Sequence, residues 1–457
     1  MQYIKRIFVF TIVSLTILSF YIVYIKDNNK QNSVQAKSKE IKFTKEINIG
    51  ITKLDTINPI LTKKLEIQHI TKLIYEPLIN ISQDFNTTPC IAEECSKLDN
   101  LTYIIKLNEN KKWSNGRNVT VEDVEFTINT IKNSDSIYKE NTVAISGIEK
   151  IDQYTFKINL VEPVEFFEYL LCFPIMEAST YNSTKPMGTG EYKITNIEKD
   201  EISIEGSEIK IKLKIYKNTT ELYNEFTRKN VDLIITENTD YEKYIGNIGI
   251  EENLITAREF YYISCENIKN EETRKYLNKN INKEKIIYDL YNKKYSIVDF
   301  PLEYGSYLNK QNTLPEDVID ITGEIFTLST IAENKEIAKK IKEQLEEKNI
   351  KIEIQTYQNS NADLILKTRT VPITPEISQY FDNKETREKI EKIIQIEDKE
   401  ILKKEYEKII ENYYKELPFI SLYFNNYIIL HTDKLKGDFS GNWYNMFYNI
   451  NTWYKIL

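Results

Sequence analysis

The sequence predicts an α/β protein of two lobes, with a smaller antiparallel unit between about 80 and 180. Three observations carry this. At 457 residues the chain exceeds the roughly 250 to 300 residues at which a single core stops growing. Two β-α-β-like stretches lie far apart in the chain. One is IKLKIYKN, TELYNEFTRKN and VDLIITEN; the other is EIFTLST, a helix over 332–348, IKIEIQTY and ADLILKT. Each is a crossover candidate, and their separation favours two lobes over one continuous sheet. Between about 80 and 180, TYIIKLNENKKW and YTFKINLVEP alternate apolar with polar residues, as a half-buried antiparallel sheet does.

Taken in order, the chain opens with Lys5 and Arg6 before an uncharged run from Ile7 to Ile25. That run is longer than the roughly 7 to 15 apolar residues of a signal peptide and approaches a bilayer span. No small-x-small cleavage site closes it, and Ser33-Val34-Gln35-Ala36 lies well beyond its end. Residues 1–26 are therefore read as an N-terminal membrane anchor, preferred over a cleaved signal, with the chain after it outside the cell. Residues 27–45 are polar and aperiodic and read as a linker.

A folded region then begins. Ile47, Ile49 and Ile51 alternate as a first strand; Asn58-Pro59 ends the loop after it; Ile67, Ile70, Leu73 and Ile74 recur at helical spacing before Pro77. KKWSNGRNVTVEDVEFTINTI, 111–131, is a corner: Asn115-Gly116 suits a turn, and Thr120-x-x-Asp123 is a capping-box-like start. Val124, Ile128 and Ile131 follow on one helical face. Pro163 leads into the helix-like EFFEYLLCF, and Gly188 and Gly190 allow a tight backbone in MGTGEYKITNIE. A dinucleotide loop is excluded there, because Lys193 stands where a third glycine is needed.

Composition narrows the function. A net charge of −8 offers no basic field for nucleic acid. Only two histidines, His69 and His431, are present, too few for a multi-histidine metal site. Cys90 and Cys95 are open to two readings, a bridge or two free thiols, and Cys172 and Cys265 stand alone. No nucleophile elbow, zinc-protease or phosphate-loop motif occurs, so the chain reads as a binder and not an enzyme, with no cofactor.

The corner resembles the W-x-(D/N)-G-x-x-(V/F)-T-A-x-D-V-x-(F/Y) signature of the extracytoplasmic solute-binding proteins of peptide and nickel ABC importers, family 5, with Val121 in place of Ala. Tyr75-Glu76-Pro77-Leu78, the glycine loop with Glu191 at a usual proline, REFYYISCEN (258–267) and LPFISLYFNNYIILHTDKLKGDF (417–439) are similar to further family segments. The resemblance covers about residues 46–457 and implies a periplasmic-binding-protein-like type II fold, two α/β lobes joined by a hinge with an accessory domain beside the first lobe. Residues 46–80, 181–257 and 430–457 would form the first lobe, 81–180 an accessory domain and 258–429 the second lobe. It implies a monomer that captures a peptide or peptide-like solute and passes it to a permease driven by a separate ATPase. The alternatives are nickel-chelate binding and a surface sensor or scaffold. Ligand contacts are expected from Leu54, Asp55, Thr189, Lys367, Thr368, Arg369, Tyr423 and Trp443. Family members lipidated at a cysteine after the apolar run differ from this chain, whose first cysteine is Cys90. The family's Trp-x-x-Asp-Tyr-x-Asp-Pro run, whose Asp can pair with a peptide amine, is replaced at 362–381 by ADLILKTRTVPITPEISQYF. Lys367 or Arg369 facing the cleft would favour an anionic group; both facing solvent is the other reading.

Overall fold

The computed structural model describes residues 42–457 apart from 182, 184, 186, 247–248, 303–304 and 311–320. It separates into a small unit, containing the two-residue strand Phe43–Thr44 together with Ile456–Leu457, and a large unit, Lys45–Lys455. The anchor expected at 7–25 lies outside the described residues. Among those described, no helix is long and apolar enough to cross a membrane.

In the large unit, the strand Glu46–Thr52 buries Ile47, Ile49 and Ile51. It pairs in parallel with Lys210–Tyr216 on one side and with Leu233–Thr236 on the other. Parallel neighbours demand crossovers, and the predicted helix supplies one. Thr219–Thr227 starts where the Asn218 side chain accepts from the Glu221 N–H at 2.9 Å, and it turns Leu222 and Phe226 inward. The second lobe repeats the scheme. Ile325–Ser329 lies in parallel between Lys351–Gln355 and Leu364–Thr370, while Lys335–Glu346 buries Ile337, Ala338, Ile341 and Leu345.

The two lobes are not separate sheets, as the sequence suggests. Among the described residues, eleven strands form one hydrogen-bonded sheet. Two long strands, Ile250–Ser264 and Phe419–Thr432, run antiparallel through both halves and join them. Their register breaks between Thr256↔Asn426 and Phe260↔Phe424, so Ala257, Arg258 and Glu259 stand opposite Asn425 alone. The apolar core divides at the same point: Ile255 and Ile429 belong to the first core, Phe260 and Phe424 to the second. Such a bulge disrupts the ladder and bends the strand, and the paired crossing strands form the hinge between the lobes.

A four-stranded antiparallel sheet stands apart, in the order Ala92–Asp99, Thr102–Leu107, Thr155–Leu160, Ile145–Lys150. The helix Val121–Lys132 buries Val124, Ile128 and Ile131, and their core is continuous with that of the first lobe. EFFEYLLCF is helical only over Phe167–Leu170, because Phe166 takes a left-handed backbone at φ 56° and breaks the run.

Candidate functional site

The signature corner is scaffold. The buried Asp123 carboxylate accepts from Trp113 Nε1 at 3.1 Å, from the Thr120 N–H at 3.0 Å and from Arg117 Nη2 at 2.6 Å. One carboxylate therefore fixes the tryptophan, the turn and the helix start together, which is why the pattern needs these residue types at this spacing. The Ser114 N–H donates to the Gly188 carbonyl at 3.1 Å, tying the corner to the glycine loop. That loop lies so close to Leu73 and Ile74 that a Cβ on Gly188 would fall 1.9 Å from the Ile74 carbonyl oxygen. Corner, loop and the end of the helix Leu65–Thr71 are thus one rigid wall, and Lys72 caps it.

Facing this wall is the hinge. Arg258, in the bulge, donates from Nε to the Val371 carbonyl at 2.7 Å and lays its guanidinium over Trp443, 4.8 Å from the ring centre. Phe85 stacks on the same indole at 5.9 Å. Around them Ile81, Tyr169, Cys172 and Tyr444 form a small apolar cluster, against which Ile373 of the second lobe packs. Residues from both lobes, from the 79–89 hairpin and from the C-terminal return therefore meet beside the hinge.

The other flank is aromatic and acidic. Tyr291 and Tyr295 stack at 3.9 Å, with Tyr261 and Tyr423 packed beside them. Tyr261 donates its hydroxyl to Glu259 at 2.7 Å. Burial pushes the Glu237 carboxyl up, and the charges of Glu259 and Glu66 push it further. Burial likewise raises Glu66. The hinge thus separates a cationic flank, with Arg258 and Lys72, from an acidic one, and aromatic rings line both. Polar anchors of both signs among aromatics suit a zwitterionic organic solute.

The residues expected at the site fall in five places. Trp443 is at the hinge, as above. Lys367, Thr368 and Arg369 line a cavity of about 870 Å³ inside the second lobe, with Ser264, Arg274 and Asp382. Lys367 Nζ is ion-paired with Asp382 at 2.7 Å, Arg369 Nε donates to the Tyr262 hydroxyl at 3.0 Å, and Thr368 accepts from Asn334 at 2.7 Å. Leu54 and Asp55 lie on a first-lobe loop. There the Asp55 carboxylate accepts from the Lys63 and Thr56 amides at 2.6 and 2.7 Å and from the Thr62 hydroxyl at 2.9 Å. Burial opposes its ionisation, but those donors hold it below the ordinary carboxylate range. Thr189 sits in the glycine loop with its hydroxyl oxygen buried and unbonded. Tyr423 is fully buried behind Tyr291 and Tyr295.

Sequence reasoning missed Lys72, Glu66, Glu237, Arg258 and Glu259. The last two had a signal: adjacent charges ahead of the buried run Phe260–Ser264. The histidines are structural. His69 accepts the Met446 N–H at Nδ1, 3.2 Å away, and His431 stacks on Phe439 at 4.1 Å. All four cysteines are free thiols, so Cys90 and Cys95 are unbridged. Among the described residues, no group of three His, Cys, Asp or Glu is arranged to hold a metal.

Comparison with known proteins places this geometry. Residues 86–390 match the family described as bacterial extracellular solute-binding proteins, family 5. The periplasmic oligopeptide-binding protein OppA of Salmonella typhimurium is 25% identical over 158 residues, 28% of this chain and 29% of that protein. The chain is thus aligned over about three tenths of the length of the curated relatives it matches. Among solved structures, a nickel ABC transporter protein from Bacillus halodurans superposes with a TM-score of 0.72 at 16% identity, covering 90% of this chain and 99% of that one. The ABC transporter substrate-binding protein CtaP from Listeria monocytogenes gives 0.65 at 19% identity, covering 91% and 100%. These likenesses establish the fold as two α/β lobes with a hinge, of the type II periplasmic-binding-protein kind.

Proposed function

Because the chain belongs to the bacterial extracellular solute-binding proteins of family 5, we propose that it is the extracytoplasmic binding component of an ABC importer. In this reading it captures a peptide or peptide-like solute between its lobes and delivers it to a membrane permease served by separate ATPase subunits. The observation that carries the reading is the hinge bulge at 257–259, where Arg258 and Glu259 present opposite charges between aromatic rings contributed by different parts of the chain. A ligand touching both lobes binds the closed form better than the open one and draws the equilibrium to closure.

The segment 81–180 would then be an accessory domain, 258–429 the second lobe, and 7–25 the tether of a monomer to the membrane. Peptide backbones offer donors and acceptors along their length, and loosely specified side chains suit tyrosine-rich walls. The second-lobe cavity beside Lys367 and Arg369 would take part of a longer ligand. The test is thermal denaturation of the detergent-solubilised full chain against a panel of short peptides, peptide amides and nickel–histidine, with native mass spectrometry of what co-purifies. A saturable rise in melting temperature with peptides is expected, since a ligand that binds only the native state stabilises it. No rise with any member would leave the sensor or scaffold reading.

A further inference from the structure

Among the described residues, Lys72 is a cation without a counter-ion. It follows the helix Leu65–Thr71, and its ammonium lies over the ring of Tyr444, 3.9 Å from the centroid. That ring contact is the whole of its engagement: no carboxylate, carbonyl or hydroxyl among the described residues bonds to Nζ. Burial pulls its pKa down to about 8, so it stays protonated at neutral pH. The other lysines of the cleft region differ. Lys111 is ion-paired with Glu76 at 2.6 Å and Lys294 with Glu252 at 2.5 Å.

An enclosed, unpaired ammonium is costly, and a ring face compensates only part of that cost. Lys72 nevertheless keeps partial exposure as a residue. Its surroundings are those of the hinge flank. The buried Cys172 thiol feels both the Lys72 and the Arg258 charge, Tyr444 donates its hydroxyl to the Cys172 carbonyl at 3.1 Å, and the neighbouring Trp443 carries Arg258 on its face.

We propose that Lys72 is the anchor for a carboxylate of the bound solute, received between Tyr444 and the Trp443–Arg258 stack. The proposal rests on the interlobe-binding reading above and specifies the solute class: it carries a carboxylate at the end that enters beside Lys72. A carboxylate there gives a charge-assisted hydrogen bond to Nζ and replaces the missing counter-ion.

The experiment compares tri- to pentapeptides as free acids and as C-terminal amides, the amides including members with Asp or Glu side chains. Melting temperature and calorimetric affinity are read on the wild type, K72M and K72R. The wild type is expected to prefer a carboxylate, at the C-terminus or on a side chain; the amidated acidic members tell which. K72M should weaken carboxylate ligands by roughly ten- to a hundredfold and leave neutral amides unchanged, while K72R keeps the preference. Unliganded K72M should melt above the wild type, because an unpaired charge has been removed. Equal binding of acids, acidic amides and neutral amides by the wild type overturns the assignment to Lys72 and leaves peptide binding standing. A K72M protein that melts lower, or keeps the preference, also overturns it. If no peptide of any kind binds the wild type, the binding reading fails and this proposal with it.

Discussion

Asp123 and His69 show how single buried side chains hold distant segments together. Asp123→Ala would leave the Trp113 indole N–H and the Thr120 amide without their acceptor in a buried place. A loss of about 3 kcal/mol is expected in urea denaturation. His69 accepts the Met446 N–H and so ties the C-terminal return to the first lobe. Burial, then the nearby Lys72 charge, depress its pKa from 6.5 to about 3. The unfolded chain therefore binds a proton below pH 6.5 that the folded chain refuses. The sign follows: this contribution to stability is intact above about 6.5 and is lost as pH falls toward 3, at up to about 1.4 kcal/mol per pH unit. His69→Gln should flatten that part of the stability–pH curve. An unchanged slope would assign the acid sensitivity to other groups.

At the scale of elements, the crossing strands matter most. The Ile250–Ser264 strand is half legible in sequence. REFYYIS carries a run of aromatic and β-branched residues and reads as a strand, whereas Glu251, Glu252 and Asn253 conceal the part before it, which nonetheless pairs with Ile429–His431. Phe260, just past the bulge, stacks on Tyr262 at 5.1 Å and lies 5.2 Å from Phe424. Phe260→Ala should cost about 3 to 5 kcal/mol, and hydrogen exchange should rise first in the second lobe, whose core Phe260 joins. The glycine loop is equally intolerant: Gly188→Ala would drive a methyl into the Ile74 carbonyl, and its melting temperature should fall.

For the whole molecule, the proposed function makes the working motion a change of angle at the 257–259 bulge. The second lobe also meets the 79–107 segment, through Lys97–Glu397 at 3.3 Å, Lys399 to Asn86 at 2.7 Å and the Tyr307 N–H to the Asp84 carbonyl at 3.0 Å. Glu397 is largely exposed, and such a pair adds little to stability. It can still bias a balanced equilibrium between lobe angles. Glu397→Lys should leave the melting temperature nearly unchanged while raising the radius of gyration of the unliganded protein in solution scattering, and high salt should act on the wild type in the same direction. A radius insensitive to both would show that these contacts do not govern closure.

The sequence by itself determined the two-lobed α/β class, the parallel crossovers, the capped corner around Trp113 and the family, because these rest on local periodicity, turn chemistry and contacts between near neighbours. It did not reveal that one sheet runs through both lobes, nor that Lys367 is paired with Asp382, nor that Tyr423 is enclosed by other tyrosines. The cleft groups Lys72, Arg258, Glu237 and Glu259 come from segments far apart in the chain. Their neighbours, and hence their charge balance and protonation, were decided only by tertiary structure: an ion pair depends on distance in space and on excluded water, neither of which a linear order of residues contains.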